Sequence, residues 1–67
     1  LPHLQLSPRE FEVMRMIGSG LRVSEIAKRL SVSVSSVNSY RTRVFEKMDF
    51  SANEDLVKYM VQFQLFE

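Results

Sequence analysis

A serine-rich break at residues 31–33 separates two short segments with the spacing of amphipathic helices, and this feature most limits how the chain can fold. Before the break, apolar residues recur at helical spacing over residues 23–30. After it, Ser33 is placed to cap a helix over residues 34–48. Two short helices joined by so tight a connection predict a helix-turn-helix motif at the centre of the chain.

A strong start signal predicts a helix ahead of this motif. The hydroxyl of Ser7 can accept from the amide of Glu10, and the Glu10 carboxylate can accept from the amide of Ser7, which is a capping box. Pro8 takes the first helical position, where its missing amide is not needed. The predicted helix covers residues 8–18, and Gly20 provides a left-handed stop.

The remaining two helix starts have different strengths. Arg22 stands where a serine or threonine would form a capping box with Glu25, so the helix over residues 23–30 lacks a side-chain cap. Ser51 and Glu54 can form a capping box for a fourth helix over residues 52–64.

These signals predict an all-α, four-helix domain over residues 7–67, with residues 1–6 as the end of a linker. The chain has 67 residues, enough for one small domain with a thin core. It has no cysteine for a disulfide, and no apolar run approaches the roughly 20 residues that span a bilayer. His3, the lone histidine, is expected to be inert, and the first residue, Leu1, suggests a fragment of a longer protein.

Charge is unevenly distributed along the chain, although the formal net charge is only +1. Basic residues exceed acidic ones between Arg22 and Lys47, and acidic residues exceed basic ones in the flanks. Such an asymmetry indicates a face that meets phosphates, and ordinary solvated surface charge explains it equally well.

Nothing in the sequence indicates catalysis. The histidine is close to the N-terminus, and no base is placed to activate a serine nucleophile. Gly18 and Gly20 close a helix and do not open one after a strand, so they do not form a phosphate-binding loop. We therefore expect no enzyme activity, cofactor or metal.

The third predicted helix has an outward face of short polar side chains. At about 100° per residue, the inward side carries Val37, Tyr40, Val44 and Met48. The opposite side carries Ser35, Asn38, Ser39, Thr42 and Glu46. Serine, asparagine and threonine are weaker helix formers than the residues of an ordinary solvated face, so this surface is predicted to lie close to a ligand.

A helix of this kind fits the major groove of DNA. The predicted base-reading residues are Ser35, Asn38, Ser39 and Thr42. Predicted phosphate contacts come from the side chains of Lys28, Arg41, Arg43 and Lys47 and from helix N-termini near Ser24 and Ser36. From these residues alone, a helical module that binds another protein remains an alternative.

The fourth predicted helix has more apolar surface than a small domain can bury. Leu56, Met60 and Phe63 form one stripe, and Val57 and Val61 form a second. The second stripe predicts a partner surface, with a well-buried terminal helix as the alternative.

Together these residues resemble the LuxR-type (NarL- or GerE-type) helix-turn-helix family. The resemblance covers about residues 6–59. It rests on residues 6–14, Gly20, residues 25–27, Leu30, Ser33, Ser36, Val37, Val44, Lys47, Met48 and Leu56. It implies a cytoplasmic transcription regulator that binds double-stranded DNA as a homodimer through its fourth helix. Val57, Val61 and Gln64 are the expected interface residues.

The resemblance also assigns individual roles. Asn38, Ser39 and Thr42 match family positions that touch bases, as Ser35 does in some members. Ser36 and Tyr40 match positions near the phosphates. Residues 40–48 are most similar to two-component response regulators, which implies an N-terminal receiver domain and RNA polymerase as a further partner. A ligand-gated LuxR-type regulator and a sigma-factor region-4-like module are the alternatives.

The chain departs from the family pattern at several positions. Asn38 stands where many members have lysine, so a different base preference is expected. Residues 22–24 replace the usual Ser/Thr-Asn-Lys, which weakens the cap of the second helix and removes one lysine near the phosphates. Asp49 replaces a frequent glycine, and Asn53 replaces a frequent arginine, which argues against an ion pair at that corner.

Overall fold

The computed structural model describes residues 2–66, and within that range the chain is built of helices. A 3-10 helix at Pro2–Gln5 precedes α1 (Pro8–Gly18), α2 (Val23–Leu30), α3 (Val34–Met48) and α4 (Asn53–Phe63). The predicted all-α, four-helix class is therefore confirmed. Helices α1 to α3 have the predicted bounds, and α4 is one residue shorter at each end. No helix in the described range is long and apolar enough to cross a membrane.

Helices α1 and α2 begin with caps of different completeness. At α1, the amide of Ser7 donates to Glu10 Oε1 over 2.8 Å, and the amide of Glu10 donates to Ser7 Oγ over 3.2 Å. At α2, the amide of Arg22 donates to Glu25 Oε1 over 2.9 Å. Because the arginine side chain has no acceptor to offer, α2 has only the carboxylate half of a capping box.

The predicted capping box of Ser51 and Glu54 is wrong. Helix α4 begins at Asn53, so its third residue is Asp55. The Oδ2 atom of Asp55 accepts from the amide of Ser51 over 2.8 Å and from the amide of Ala52 over 3.1 Å. Starting the helix one residue later therefore moves the capping carboxylate from position 54 to position 55.

The hydrophobic core consists of two clusters that share α1 and α3. The first cluster joins α1, α2 and α3, and its buried members are Val13, Ile26, Ala27 and Val37. The second joins α1, α3 and α4 through Met14, Val44, Leu56 and Met60. Helix α3 therefore contributes to both clusters, at positions two turns apart, and this double anchoring fixes which face it presents outward.

Four residues with positive φ end the helices. Gly20 has φ 94° after α1, as its predicted role as a left-handed stop requires. Ser31, Asp49 and Gln64 close α2, α3 and α4 with φ of 57°, 58° and 53°. Left-handed serine and glutamine were not apparent from the sequence, because these side chains are less typical of that conformation.

Gly18 lies at the contact between α1 and α4. A Cβ atom at this position would overlap Met60 Sδ and would come within 3.1 Å of Leu56 Cδ2. Gly18 is itself the last residue of α1. Its lack of a side chain therefore serves packing between the two helices, in addition to any effect on helix termination.

The N-terminal segment is folded, in contrast to the linker predicted for it. The amide of His3 donates to Tyr59 Oη over 3.0 Å, and His3 Nδ1 lies 2.7 Å from the same oxygen. The imidazole ring also lies 5.7 Å from Phe11 and 5.9 Å from Phe63, measured between ring centroids. His3 thus packs among aromatic residues of α1 and α4 and is hydrogen-bonded to Tyr59, a structural role that the sequence did not indicate.

Candidate nucleic-acid interface

The outer face of α3 forms an open groove that contains all four predicted base readers. The lining residues are Val34, Ser35, Asn38, Ser39, Thr42, Arg43 and Glu46. All of these side chains are exposed, whereas Val37 and Val44 on the opposite side of α3 are fully buried. Because those valines anchor α3 in both core clusters, the groove is a fixed surface of the domain; we call it the α3 groove.

Two hydroxyl groups in the α3 groove are held by the helix backbone. Ser39 Oγ donates to the carbonyl oxygen of Ser35 over 3.1 Å, and Thr42 Oγ1 donates to that of Asn38 over 3.0 Å. A hydroxyl has one proton and two lone pairs. With the proton directed to the backbone, each oxygen presents lone pairs outward and acts as an acceptor toward a ligand.

The amides at the starts of α2 and α3 differ in availability. At α3, Ser33 Oγ accepts from the amide of Ser36 over 3.0 Å and donates to Ser36 Oγ over 3.0 Å. The amide of Ser36 itself is therefore already used within the helix. Helix α2 has no side-chain cap at its first turn, where Ser24 is exposed. Its amides remain suited to an anion.

Arg41 and Arg43 lie on two sides of α3, and each guanidinium group lies over an aromatic ring. The Cζ atom of Arg41 is 4.1 Å from the ring centroid of Phe45, and that of Arg43 is 5.7 Å from the centroid of Tyr40. Arg41 Nη2 also donates to Asn53 Oδ1 over 2.8 Å. These contacts restrict both side chains and leave their positive charges unneutralised.

The hydrogen bond between Arg41 and Asn53 links α3 to the first residue of α4. Asn53 stands where the family pattern frequently has arginine, and this replacement argued against an ion pair at this corner. In the structure, the neutral side-chain amide of Asn53 is the partner of Arg41. Because an amide accepts a hydrogen bond without neutralising the donor, the charge of Arg41 remains free for a phosphate.

Lys47, a predicted phosphate contact, is engaged elsewhere in the structure. Its Nζ lies 2.8 Å from Glu10 Oε1 and 3.5 Å from the carbonyl oxygen of Gln5. It also lies about 180° around α3 from Asn38, at 100° per residue. Since Glu10 is only 4% exposed, the ammonium compensates a buried carboxylate. We therefore propose a structural role for Lys47 in place of the predicted DNA contact.

Two further predicted phosphate contacts lie outside the α3 groove. Lys28 is exposed on α2 and forms no ion pair within the described residues. Tyr40 is half-buried and packs against the first core cluster. Lys28 thus remains available to a phosphate, and Tyr40 combines packing with support of the Arg43 guanidinium.

Two groove residues, Val34 and Glu46, were given no DNA-binding role from the sequence. Helical spacing contained the signal, since Val34 lies four residues before Asn38 and Glu46 four residues after Thr42. Val34 is 47% exposed. Glu46 has neither an ion pair nor a side-chain hydrogen bond within residues 2–66.

The second apolar stripe of α4 stays on the surface. Val57 is 38% exposed and Val61 is 61% exposed, whereas Leu56 and Met60 are fully buried. Gln64 follows at the C-terminal end of α4 and is exposed. The three expected interface residues are spaced by four and three positions, so they share one side of α4.

Comparisons with known proteins agree with this architecture. The family model described as "Bacterial regulatory proteins, luxR family" matches residues 4–60. The chain is 38% identical over 61 residues to the response regulator UvrY of Escherichia coli (strain K12), which covers 91% of the chain and 28% of UvrY. It is 33% identical over 66 residues to the oxygen regulatory protein NreC of Staphylococcus carnosus (strain TM300), which covers 98% of the chain and 30% of NreC. The chain thus spans less than a third of the length of these curated relatives.

Proposed function

This chain belongs to the luxR family of bacterial regulatory proteins, and from that membership we infer that it binds double-stranded DNA in the regulation of transcription. The observation that carries this function is the α3 groove, where exposed polar side chains lie on a helix anchored in both core clusters. Membership of a family of regulators assigns the chain a binding role and no catalytic one.

In the proposed complex, α3 lies in the major groove with its outer face toward the bases. An α-helix fits into that groove, which is roughly 12 Å wide. Ser35, Asn38, Ser39 and Thr42 contact base edges, and Asn38 can form two hydrogen bonds with adenine. The methyl group of Thr42 can contact the methyl group of thymine.

Phosphate contacts hold the domain in register on the duplex. We assign them to Arg41 and Arg43 on the two sides of α3, and to Lys28 and the amides near Ser24 on α2. Ser36 and Tyr40 are the further residues that we propose to lie near the phosphates, as the family resemblance implies. Because so few cations are involved, one domain binds weakly. Two paired domains neutralise more phosphates, so their affinity falls steeply as salt concentration rises.

Tight binding therefore requires two domains. We propose that Val57, Val61 and Gln64 form the interface of a homodimer in which each α3 enters the major groove at one of two half-sites. Exposed valines on an otherwise polar side of α4 support this assignment, because apolar surface of this kind is commonly covered by a partner.

The proposed setting is a response regulator in the bacterial cytoplasm. The name of UvrY identifies that relative as a response regulator, and the chain matches 28% of its length. We propose that a receiver domain precedes this output domain in the full-length protein and that phosphorylation pairs the output domains. RNA polymerase is a further proposed partner, with no residue assigned to it.

The test compares binding to a selected duplex with binding to random DNA at several salt concentrations. Asn38→Ala should weaken binding to the selected duplex by about 1–3 kcal/mol, with little effect on random DNA. Arg43→Ala should weaken binding to both and reduce the salt slope by about one unit. Gln62→Ala, an exposed change on α4, is the control. Absence of binding to any duplex at low salt would reject DNA binding.

A further inference from the structure

We propose that Glu46 is a specificity-determining residue that selects cytosine at one edge of the DNA site. It forms the end of a row of hydrogen-bond acceptors on α3. The proposal rests on the DNA binding proposed above and names the base chemistry that the α3 groove prefers.

The acceptor row consists of Ser39, Thr42 and Glu46. These residues are spaced by three and four positions, so their side chains follow one ridge of the helix. The hydroxyl protons of Ser39 and Thr42 are donated to backbone carbonyl oxygens. Glu46, when ionised, can only accept hydrogen bonds. The ridge therefore presents acceptors at three successive levels.

The length of this row matches a short run of base pairs. Seven residues of helix separate its ends, which is a rise of about 10 Å. Base pairs repeat about every 3.4 Å along the duplex, so the row spans about three steps where α3 follows the groove. Each acceptor can then meet a different base.

Acceptors select bases that present an amino group. In the major groove, adenine offers its N6 amino group and cytosine its N4 amino group, whereas guanine and thymine present acceptor oxygens. Adenine also has the N7 acceptor beside its amino group, and this lone pair repels the second oxygen of a carboxylate. The ring position beside the cytosine amino group carries a hydrogen in place of a lone pair, so a carboxylate prefers cytosine.

The surroundings of Glu46 indicate that its carboxylate is free for such a contact. Glu10 pairs with Lys47, and Glu12 lies 3.5 Å from Arg9. Glu46 has neither an ion pair nor a side-chain hydrogen bond within the described part of the chain. It lines the α3 groove together with Arg43, whose guanidinium lies over Tyr40.

A free carboxylate in this position weakens binding to most DNA sequences. Its charge repels the phosphates on every sequence, and burying it against a base without a donor leaves it unsatisfied. A cytosine amino group offsets that penalty. Glu46 therefore acts by rejecting sites that lack this base as much as by attracting sites that contain it.

The experiment is selection of preferred duplexes from a randomised library, followed by affinity measurements on single-base variants of the selected site. The proteins are the wild-type chain, Glu46→Ala and Glu46→Gln. Glu54→Gln is the matched control, because it removes an exposed glutamate charge from α4. Circular dichroism establishes that each variant is folded.

We expect cytosine at one position of the wild-type site, favoured about tenfold over the other bases. Glu46→Ala should abolish that preference, and Glu46→Gln should shift it toward adenine, which pairs with a side-chain amide. Thr42→Val should change a different position, about two base pairs away. Glu54→Gln should leave every position unchanged.

Two results distinguish the failure of this proposal from that of DNA binding. If the proteins bind duplexes and Glu46→Ala keeps the wild-type base preference at every position, Glu46 is not a specificity residue. The same conclusion follows if the position that responds to Glu46 prefers guanine or thymine. If no protein binds any duplex at low salt, the proposed function itself is wrong.

Discussion

The carboxylate of Glu10 and the ammonium of Lys47 lie 2.8 Å apart and join the start of α1 to the end of α3. The same carboxylate oxygen accepts from the amide of Ser7. One oxygen therefore both caps α1 and pairs with Lys47 of α3. The Lys47 ammonium and the Ser7 amide hold the pKa of Glu10 below its ordinary value of 4.5. One buried carboxylate therefore connects the capping of α1 with the orientation of the proposed DNA-reading helix, α3.

Replacement of Lys47 should destabilise the domain without altering its electrostatic contact with DNA. Lys47→Met leaves the buried Glu10 carboxylate without its charged partner, and we expect a loss of about 1–3 kcal/mol in the free energy of unfolding by urea. Lys58→Met, on the exposed side of α4, is the matched control and should cost less than about 0.5 kcal/mol. A salt slope of DNA binding that drops by one unit in Lys47→Met would restore Lys47 to the phosphate contacts.

Stability should decline in acid through Glu10 and Asp55. Hydrogen bonds from the amides of Ser51 and Ala52 lower the pKa of Asp55 below its ordinary 3.8, as Lys47 does for Glu10. Both groups therefore bind protons more weakly when folded. Their contribution is fully present above the ordinary pKa values and is lost as pH falls through the lowered values.

Urea unfolding at a series of pH values measures this effect. Glu10→Gln and Asp55→Asn should each flatten the fall in unfolding free energy below about pH 4.5. Glu54→Gln is the control for removal of a carboxylate. If the unfolding free energy of the Glu10→Gln, Asp55→Asn double variant falls as steeply in acid as that of the wild type, these two carboxylates are not the source of the acid sensitivity.

The close crossing of α1 and α4 predicts a context-dependent effect of alanine at Gly18. Gly18→Ala should destabilise the domain by about 1–3 kcal/mol, because the new methyl group overlaps the fully buried Met60. Met60→Ala removes the overlapping atoms, so Gly18→Ala should cost much less in that background. Gly20→Ala is the comparison, since its cost arises from the left-handed backbone and should not depend on Met60. Additive effects of Gly18→Ala and Met60→Ala in thermal unfolding would exclude the packing explanation.

The contacts of Arg41 predict that lysine cannot replace it. Arg41→Lys keeps the charge but loses the stacking on Phe45 and the hydrogen bond geometry to Asn53. We expect DNA affinity to fall by about 0.5–1 kcal/mol on all sequences with an unchanged salt slope. Arg41→Ala should reduce the slope by about one unit as well. Equal affinities of wild type and Arg41→Lys, measured by fluorescence anisotropy, would show that positioning of the guanidinium is unimportant.

A charge on the exposed stripe of α4 should weaken pairing and leave the fold intact. Val61→Asp should reduce cooperative binding to a duplex with two half-sites, while each half-site alone is bound as before. Gln62→Asp adds the same charge to another side of α4 and serves as control. Sedimentation and thermal unfolding separate the outcomes, because unfolding of Val61→Asp would identify this valine as core, and unchanged cooperativity would remove it from the interface.

Local sequence rules account for most of the helices and for the reading face. Ser7 and Glu10 are three residues apart, and helix geometry alone brings such pairs together. The outward position of Asn38 and Thr42 follows in the same way from helical periodicity once Val37 is assigned to the core. These relationships need no knowledge of how the helices pack.

The remaining contacts depend on packing between distant segments. Lys47 meets Glu10 across 37 positions of sequence, and His3 meets Tyr59 across 56. Neither separation has a local geometric signature, so Lys47 was assigned to phosphates on its charge alone. Asn53 meets Arg41 across 12 positions of sequence, through the turn that joins α3 to α4.

The hydrogen bond between His3 and Tyr59 also holds the N-terminal 3-10 helix against α4. Tyr59 lies about 200° around α4 from Val57 and from Val61, and Lys47, beside the 3-10 helix, lies on the side of α3 away from Asn38. A fluorophore, affinity tag or surface anchor joined ahead of this segment therefore starts on a side of the domain away from both the α3 groove and the proposed dimer surface. N-terminal labelling is therefore suited to measuring DNA binding and pairing in the same molecule.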